Sequence, residues 1–225
     1  RDLLNGIEEA SMNLADTITV NSKFTKRIVQ ETWPSLRNHE LQVLYPALEV
    51  VSVDEEGDTT TSIIPNKDYD DDDDDDDASH KKDPKLFVSL NRFERKKNLA
   101  LIVQAAAEII KHHHDYDLHI VIAGGYDVRN VENVEYRGEL AQLADRLQVA
   151  VDFRHSISDS ERRDLLTRAT AVVYTPENEH FGIVPLEAMY HGTAVICCNT
   201  GGPVETVVDG VTGYLCDATP QAFGA

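Results

Sequence analysis

At 225 residues, 41% hydrophobic and 27% charged, the chain has globular composition and the length of one large domain or one and a half small ones. The formal charge of −19 disfavours nucleic acid as a partner, yet it is concentrated: residues 54–83 hold 14 acidic and 3 basic side chains, a local −11 that leaves −8 elsewhere. No run of 18 apolar residues occurs, so no membrane span is expected, and Cys197, Cys198 and Cys216 make no disulfide framework, which suits a reducing cytosol.

The sequence begins at Arg1 with no secretory apolar segment behind it, and it reads as a soluble fragment. Leu3, Leu4, Ile7, Met12 and Leu14 lay down a partial helical stripe, and residues 17–20 form a β-branched strand. Ser22 caps a helix through Phe24, Ile28 and Val29 that must end before Pro34. Residues 41–44 are the next strand, stopped by Tyr45-Pro46. Residues 1–46 are too few to close a core alone and read as the remnant of a preceding domain with its hinge. Residues 50–84 combine low hydrophobicity, dense like charge and no period, which predicts a disordered acidic insertion.

From Lys85 onward, apolar strands alternate with helices. The strands fall at 86–90, 118–123, 150–153, 171–174 and 194–197. One helix runs from about Asn98 to Ile110, a second carries Leu140, Leu143, Ala144 and Leu147, a third is capped by Ser158, and a fourth follows Phe181 and ends at Gly192. Strands apolar on both faces and separated by helices predict an α/β fold with a doubly wound parallel sheet. Ligands of such sheets lie beyond the C-terminal ends of the strands.

The loops at those ends carry the candidate chemistry. After Leu90 comes NRFERKKN, with Arg92, Arg95, Lys96 and Lys97 before a helix. A helix N-terminus favours anions, and an Arg with a Lys beside it makes a diphosphate clamp; the bland alternative is a solvated basic face. After Tyr174 comes TPENEHFGIVPLEAMYHG, where Glu179 and Glu187 are eight apart and flank a helix start at Phe181-Gly182. Glu187 points back toward that start, so both carboxylates flank one pocket mouth and suit sugar hydroxyls; surface acids at a helix dipole are the alternative. Gly201-Gly202-Pro203, followed by Glu205, reads as a third helix opening on the same sheet edge.

SLNRFERKKN, VIAGGYD, NEHFGIVPLE and GGPVETVVDGVTGYL together resemble the C-terminal domain of the family-4 retaining glycosyltransferases of GT-B fold. Within that family the wording is most similar to the α-1,3/1,6-mannosyltransferases of dolichol-linked oligosaccharide assembly. The resemblance implies a nucleotide-sugar-binding domain over 85–225, incomplete at its C-terminal side, and transfer of mannose from GDP-mannose to a lipid-linked oligosaccharide acceptor at the cytosolic face of the endoplasmic reticulum. It also implies that Arg92 and Lys97 hold the donor diphosphate, with Lys96 competing for the second place. Glu187 would take the ribose hydroxyls, Glu179 with the Phe181 and Gly182 N–H groups would contact the transferred hexose, and Ile183 would belong to the same donor site. Gly124 completes the donor site, and Phe153 and Arg154 would lie near the base. No metal or other cofactor is implied, and the chain alone is expected to transfer nothing. A UDP- or ADP-sugar transferase, and a non-catalytic interaction module, are the competing readings.

Two other features invite a metal. The aspartates at 70–77 lack a flanking strand to aim them and read as solvated linker. His112, His113 and His114 point about 100° apart on a helix and cannot converge on one ion. Cys197 and Cys198 are expected to divide into one buried and one boundary thiol, neither catalytic.

Overall fold

Short β-branched runs and a serine cap organise the N-terminal residues. The computed structural model describes residues 2–48, 50–53, 59–62, 81–113 and 116–225. Helix α1 (Asp2–Asn13) is followed by β1 (Ile18–Val20), α2 (Lys23–Thr32) and β2 (Leu41–Val43), with β1 and β2 paired in parallel. Ser22 caps α2 as the sequence predicts, its hydroxyl accepting the Thr25 N–H at 2.9 Å. The acidic stretch departs from expectation at its start: β3 (Val50–Val53) pairs antiparallel with β4 (Thr59–Ser62). Val50, Val51, Val53, Thr59, Thr60 and Thr61 are of the β-branched types that strands favour. The aspartates at 70–77 lie outside the described residues.

The remaining elements alternate strand and helix as far as β9. They are β5 (Asp83–Leu90), α3 (Ala100–His112), β6 (His119–Gly124), α4 (Val131–Leu147), β7 (Val151–His155), α5 (Asp159–Arg168), β8 (Ala169–Tyr174), α6 (Ile183–Tyr190), β9 (Ala194–Cys198), β10 (Gly213–Cys216) and α7 (Pro220–Phe223). The six strands form one sheet in the order β10-β9-β8-β5-β6-β7, every pair parallel. Counted from β5, this is the 3-2-1-4-5-6 order of doubly wound nucleotide-binding sheets. Period-two alternation sends Ile120 and Ile122 to one face, with α3 and α4, and Val121 and Ala123 to the other, with α5 and α6. Both faces are therefore covered, as a parallel sheet requires.

Three local expectations are corrected. β5 begins at Asp83, inside the stretch assigned to the insertion. The third helix opening is a single 3₁₀ turn over Gly202–Glu205, because Asp209-Gly210 turns the chain back into the edge strand β10. Cys197 and Cys198 are both buried, and burial pushes each thiol up to about 12, so neither is poised to react.

Candidate active site

β5 sits at the centre of the sheet, and its two neighbours lead the chain in opposite directions: β6 follows it on one side and β8 lies on the other. The loops after β5 and β8 therefore part over the sheet and leave a crevice at the strands' C-terminal ends. A cavity of about 420 Å³ occupies it, within the range of small-ligand sites. Arg92, Lys97, Gly124, Glu179, Phe181, Gly182 and Ile183 all line it, joined by Asn21, Pro46, Asn91, Arg162 and Tyr174.

The loop after β5 is sorted residue by residue. Phe93 is fully buried and packs edge-on to Tyr126 and His155, anchoring the loop to the core. Its carbonyl accepts from the Asn133 amide at 3.0 Å, and the same buried Asn133 accepts the Asp127 N–H at 3.0 Å, so one side chain fixes the loops after β5 and β6. With Phe93 pointing inward, its neighbours divide. Arg95 turns outward to Glu139 and Glu135 of α4 at 2.6 and 3.3 Å, and Lys96 pairs with Glu94. Only Arg92 and Lys97 of the four cations reach the cavity. Lys97 is nearly enclosed, at 12% side-chain exposure, and is paired to Glu179; its carbonyl accepts from Thr175 at 2.8 Å. Arg92, at 62%, pairs with Glu94 at 3.0 Å.

Glycine is required at Gly124, where a Cβ would stand 2.0 Å from the Asn91 carbonyl. The loops after β5 and β6 approach that closely only without a side chain. Gly182, at φ 84, precedes α6 and leaves its first turn without a side-chain cap, so uncapped amides and the positive end of α6 border the cavity. The Glu179 carbonyl accepts the Gly202 N–H at 2.7 Å, which ties this loop to the 3₁₀ turn. Burial raises the Glu179 carboxyl, but the Lys97 hydrogen bond and charge and the His180 N–H outweigh it and hold it below the ordinary carboxylate value. Burial first, then the charge of Glu179, pushes the Tyr174 phenol well up, so it is a donor at every physiological pH.

The N-terminal residues complete one wall. Glu205 accepts the Lys23 and Phe24 N–H groups at the start of α2, at 2.9 and 2.7 Å, and the Tyr45 hydroxyl at 2.9 Å. The Ser22 hydroxyl donates to the His180 carbonyl, and the Tyr45 ring lies 5.9 Å from Phe181. Asn21 and Pro46 thereby face the site.

Other predicted residues lie elsewhere. Glu187 is half-buried on α6 and paired to Arg162 rather than lining the cavity itself. Phe153 and Arg154, on the edge strand β7, are also outside it: Arg137 stacks 3.8 Å over the Phe153 ring, and Arg154 pairs with Asp152 at 2.8 Å. Both stand within β7, which continues to His155, and the Phe153 ring lies 6.4 Å from Phe93 of the loop after β5. Arg162 lines the cavity although the sequence gives no expectation of it there. It carries no motif, and only the adjacency of α5 and α6 brings it to the site. Among the described residues no group of three or more metal-ligating side chains converges, and no helix is long and apolar enough to cross a membrane.

The sequence profile of the family described as "Glycosyl transferases group 1" matches residues 70–225. The chain is 42% identical over 225 residues to "Alpha-1,3/1,6-mannosyltransferase ALG2" of Homo sapiens and 41% identical over 231 to its counterpart in Neurospora crassa, with 98% and 93% of the chain covered. It spans 51% and 46% of those proteins, about half the length of the curated relatives it matches. Among solved structures it superposes on a sucrose-phosphate synthase from Thermosynechococcus elongatus with TM-score 0.73 at 19% identity, covering 100% of this chain and 51% of that one. Anabaena HepE, solved with UDP and glucose, gives TM-score 0.64 at 18% identity, covering 93% and 52%.

Proposed function

The chain belongs to the group 1 glycosyl transferases and has the fold of a GT-B C-terminal domain, and from that premise we propose that it is the donor-binding half of a mannosyltransferase. That enzyme takes mannose from GDP-mannose and passes it, with retention, to a dolichol-linked oligosaccharide in N-glycan assembly at the cytosolic face of the endoplasmic reticulum. The sequence likeness to the two mannosyltransferases supports the sugar and the pathway. The observation that carries the chemistry is the convergence of Arg92, Lys97 and the uncapped start of α6 on one cavity at the switch point of the sheet.

In this reading Arg92 and Lys97 exchange their carboxylate partners for the donor diphosphate. As the bond from the anomeric carbon to the phosphate oxygen breaks, negative charge grows on the leaving diphosphate. Two fixed cations and a helix N-terminus stabilise that charge more in the transition state than in the bound donor. No metal is needed to offset it. Glu179, released from Lys97, accepts hexose hydroxyls beside the Phe181 and Gly182 amides, and Glu187 accepts those of the ribose. Titration of the chain with GDP and guanosine tests the clamp. Arg92→Ala should weaken GDP by roughly tenfold or more, for a lost charge-assisted bond of about 1.5–3 kcal/mol, and leave guanosine unchanged. Equal weakening of both would remove Arg92 from the diphosphate. Thermal protection by UDP in preference to GDP would move the reading to another nucleotide sugar.

A further inference from the structure

We propose that Arg162 is a positioning residue that holds the Glu187 carboxylate to accept the ribose hydroxyls of the nucleotide, an inference resting on the donor-binding reading above. Arg162 lines the same cavity as Arg92 and Lys97, and its Nη2 meets Glu187 Oε2. Among the described residues no donor reaches Glu187 Oε1. A bidentate pair would occupy both oxygens, whereas this single contact anchors one oxygen and leaves the other free for hydroxyls. The stem of Arg162 is itself fixed. Its N–H bonds the Ser158 carbonyl at 2.9 Å within a capping box formed by Ser158 and Glu161, and the next turn buries Leu165 and Leu166 under the sheet.

Charge explains why a cation is needed at this place. Glu179 and Glu187 both act on the buried Tyr174 phenol, so two negative charges stand near one ring of a cavity proposed to admit a diphosphate. Lys97 neutralises Glu179 and Arg162 neutralises Glu187. Without Arg162, Glu187 would repel both its neighbour and the incoming phosphates, and its carboxylate would swing free.

Titration of the 225-residue chain with GDP and with 2′,3′-dideoxy-GDP tests the proposal, because the second nucleotide has the diphosphate and base but no ribose hydroxyls. The unaltered chain should prefer GDP. Arg162→Gln should weaken GDP by about tenfold and the dideoxy nucleotide by less than about twofold, collapsing the preference. Glu187→Gln should lower the same preference, and the double variant should lose no more than either single one. Equal losses for both nucleotides, or additive losses in the double variant, would overturn the proposal, since a structural or purely phosphate-binding role predicts those. Should Arg162→Gln fail to fold, Arg162→Met, which keeps the apolar stem and lacks the donors, carries the same expectation. An unaltered chain that binds both nucleotides equally overturns the ribose assignment and Arg162 with it. One that binds neither overturns the donor-binding reading itself.

Discussion

The floor of the cavity and its N-terminal wall are held by different forces. The six-stranded sheet buries two apolar clusters, one on each face, and its loops are pinned by Phe93 and Asn133. Among the described side chains of residues 2–48, the buried hydrophobic ones are Val20, Phe24, Leu36 and Leu41, while Leu4 and Ile7 of α1 and Leu14 just after it are exposed. That segment is fastened to the sheet by Glu205 and by the hydroxyls of Ser22 and Tyr45. Apolar burial over a large area is cooperative and hard to open locally, whereas a few charge-assisted hydrogen bonds give way without the core. The side of the cavity that carries Arg92 and Lys97 is thus the harder to open, and the wall carrying Asn21 and Pro46 rests on a few hydrogen bonds centred on Glu205.

The largest effect should come from Phe93, which belongs to the floor. Phe93→Ala removes a fully buried ring from between the loop and the β6–β7 end of the sheet, at a cost of roughly 3–5 kcal/mol. Denaturant unfolding should show this as one cooperative loss. A cost below about 1 kcal/mol would mean that the loop is held by its charges and not by its anchor.

Glu205→Ala should be smaller and local. It removes the acceptor of three donors, two of them backbone N–H groups at the start of α2, and an unsatisfied donor costs about 1–3 kcal/mol where water cannot replace the partner. Hydrogen exchange is the measurement that separates wall from floor. Amides of α2 should exchange faster, and those of β6 should not change. Equal loosening of both would show that wall and sheet unfold as one unit.

Much of this was legible beforehand, for reasons that differ by residue. Ser22 and Ser158 announce their helices because a cap acts within three residues, and both cap as expected. The apolar runs that became β5, β6, β8 and β9 are legible because strands buried on both faces need nothing from distant sequence. β10 was not, since Gly213, Tyr214, Leu215 and Cys216 form a short edge strand with Tyr214 exposed. In NRFERKKN the sequence advertises its charges, but the division among Arg92, Arg95, Lys96 and Lys97 follows from Phe93 pointing inward. The contacts of Arg162 and Glu205 were hidden because their partners are 25 and 160 or more residues away in sequence. Phe153 and Arg154 are expected just after a strand but stand within β7, whose end at His155 no turn residue marks in the sequence.

The smallest effect expected is a dependence on pH, and it probes the junction between the two regions, because Glu179 sits on the floor side beside His180, which the wall grips. Burial alone would raise the Glu179 carboxyl. The bond from Lys97, its charge and the His180 N–H reverse this and leave it below the ordinary 4.5. A carboxyl whose value is depressed on folding favours the folded state when ionised. Its contribution is complete above the ordinary value and is lost as pH falls through the lower, folded one. Stability that Glu179 supplies should therefore be constant from neutral pH down to about 5 and decline below that. Glu179→Gln keeps the size of the side chain and an acceptor for Lys97 but cannot titrate. The unaltered chain should be the more stable of the two at pH 7, and the difference should shrink as the solution is taken below 4.5. A difference that stays fixed through that range would mean that the Lys97 contact does not depend on the charge of Glu179. A diphosphate bound at Lys97 as proposed would then displace a neutral hydrogen bond rather than an ion pair.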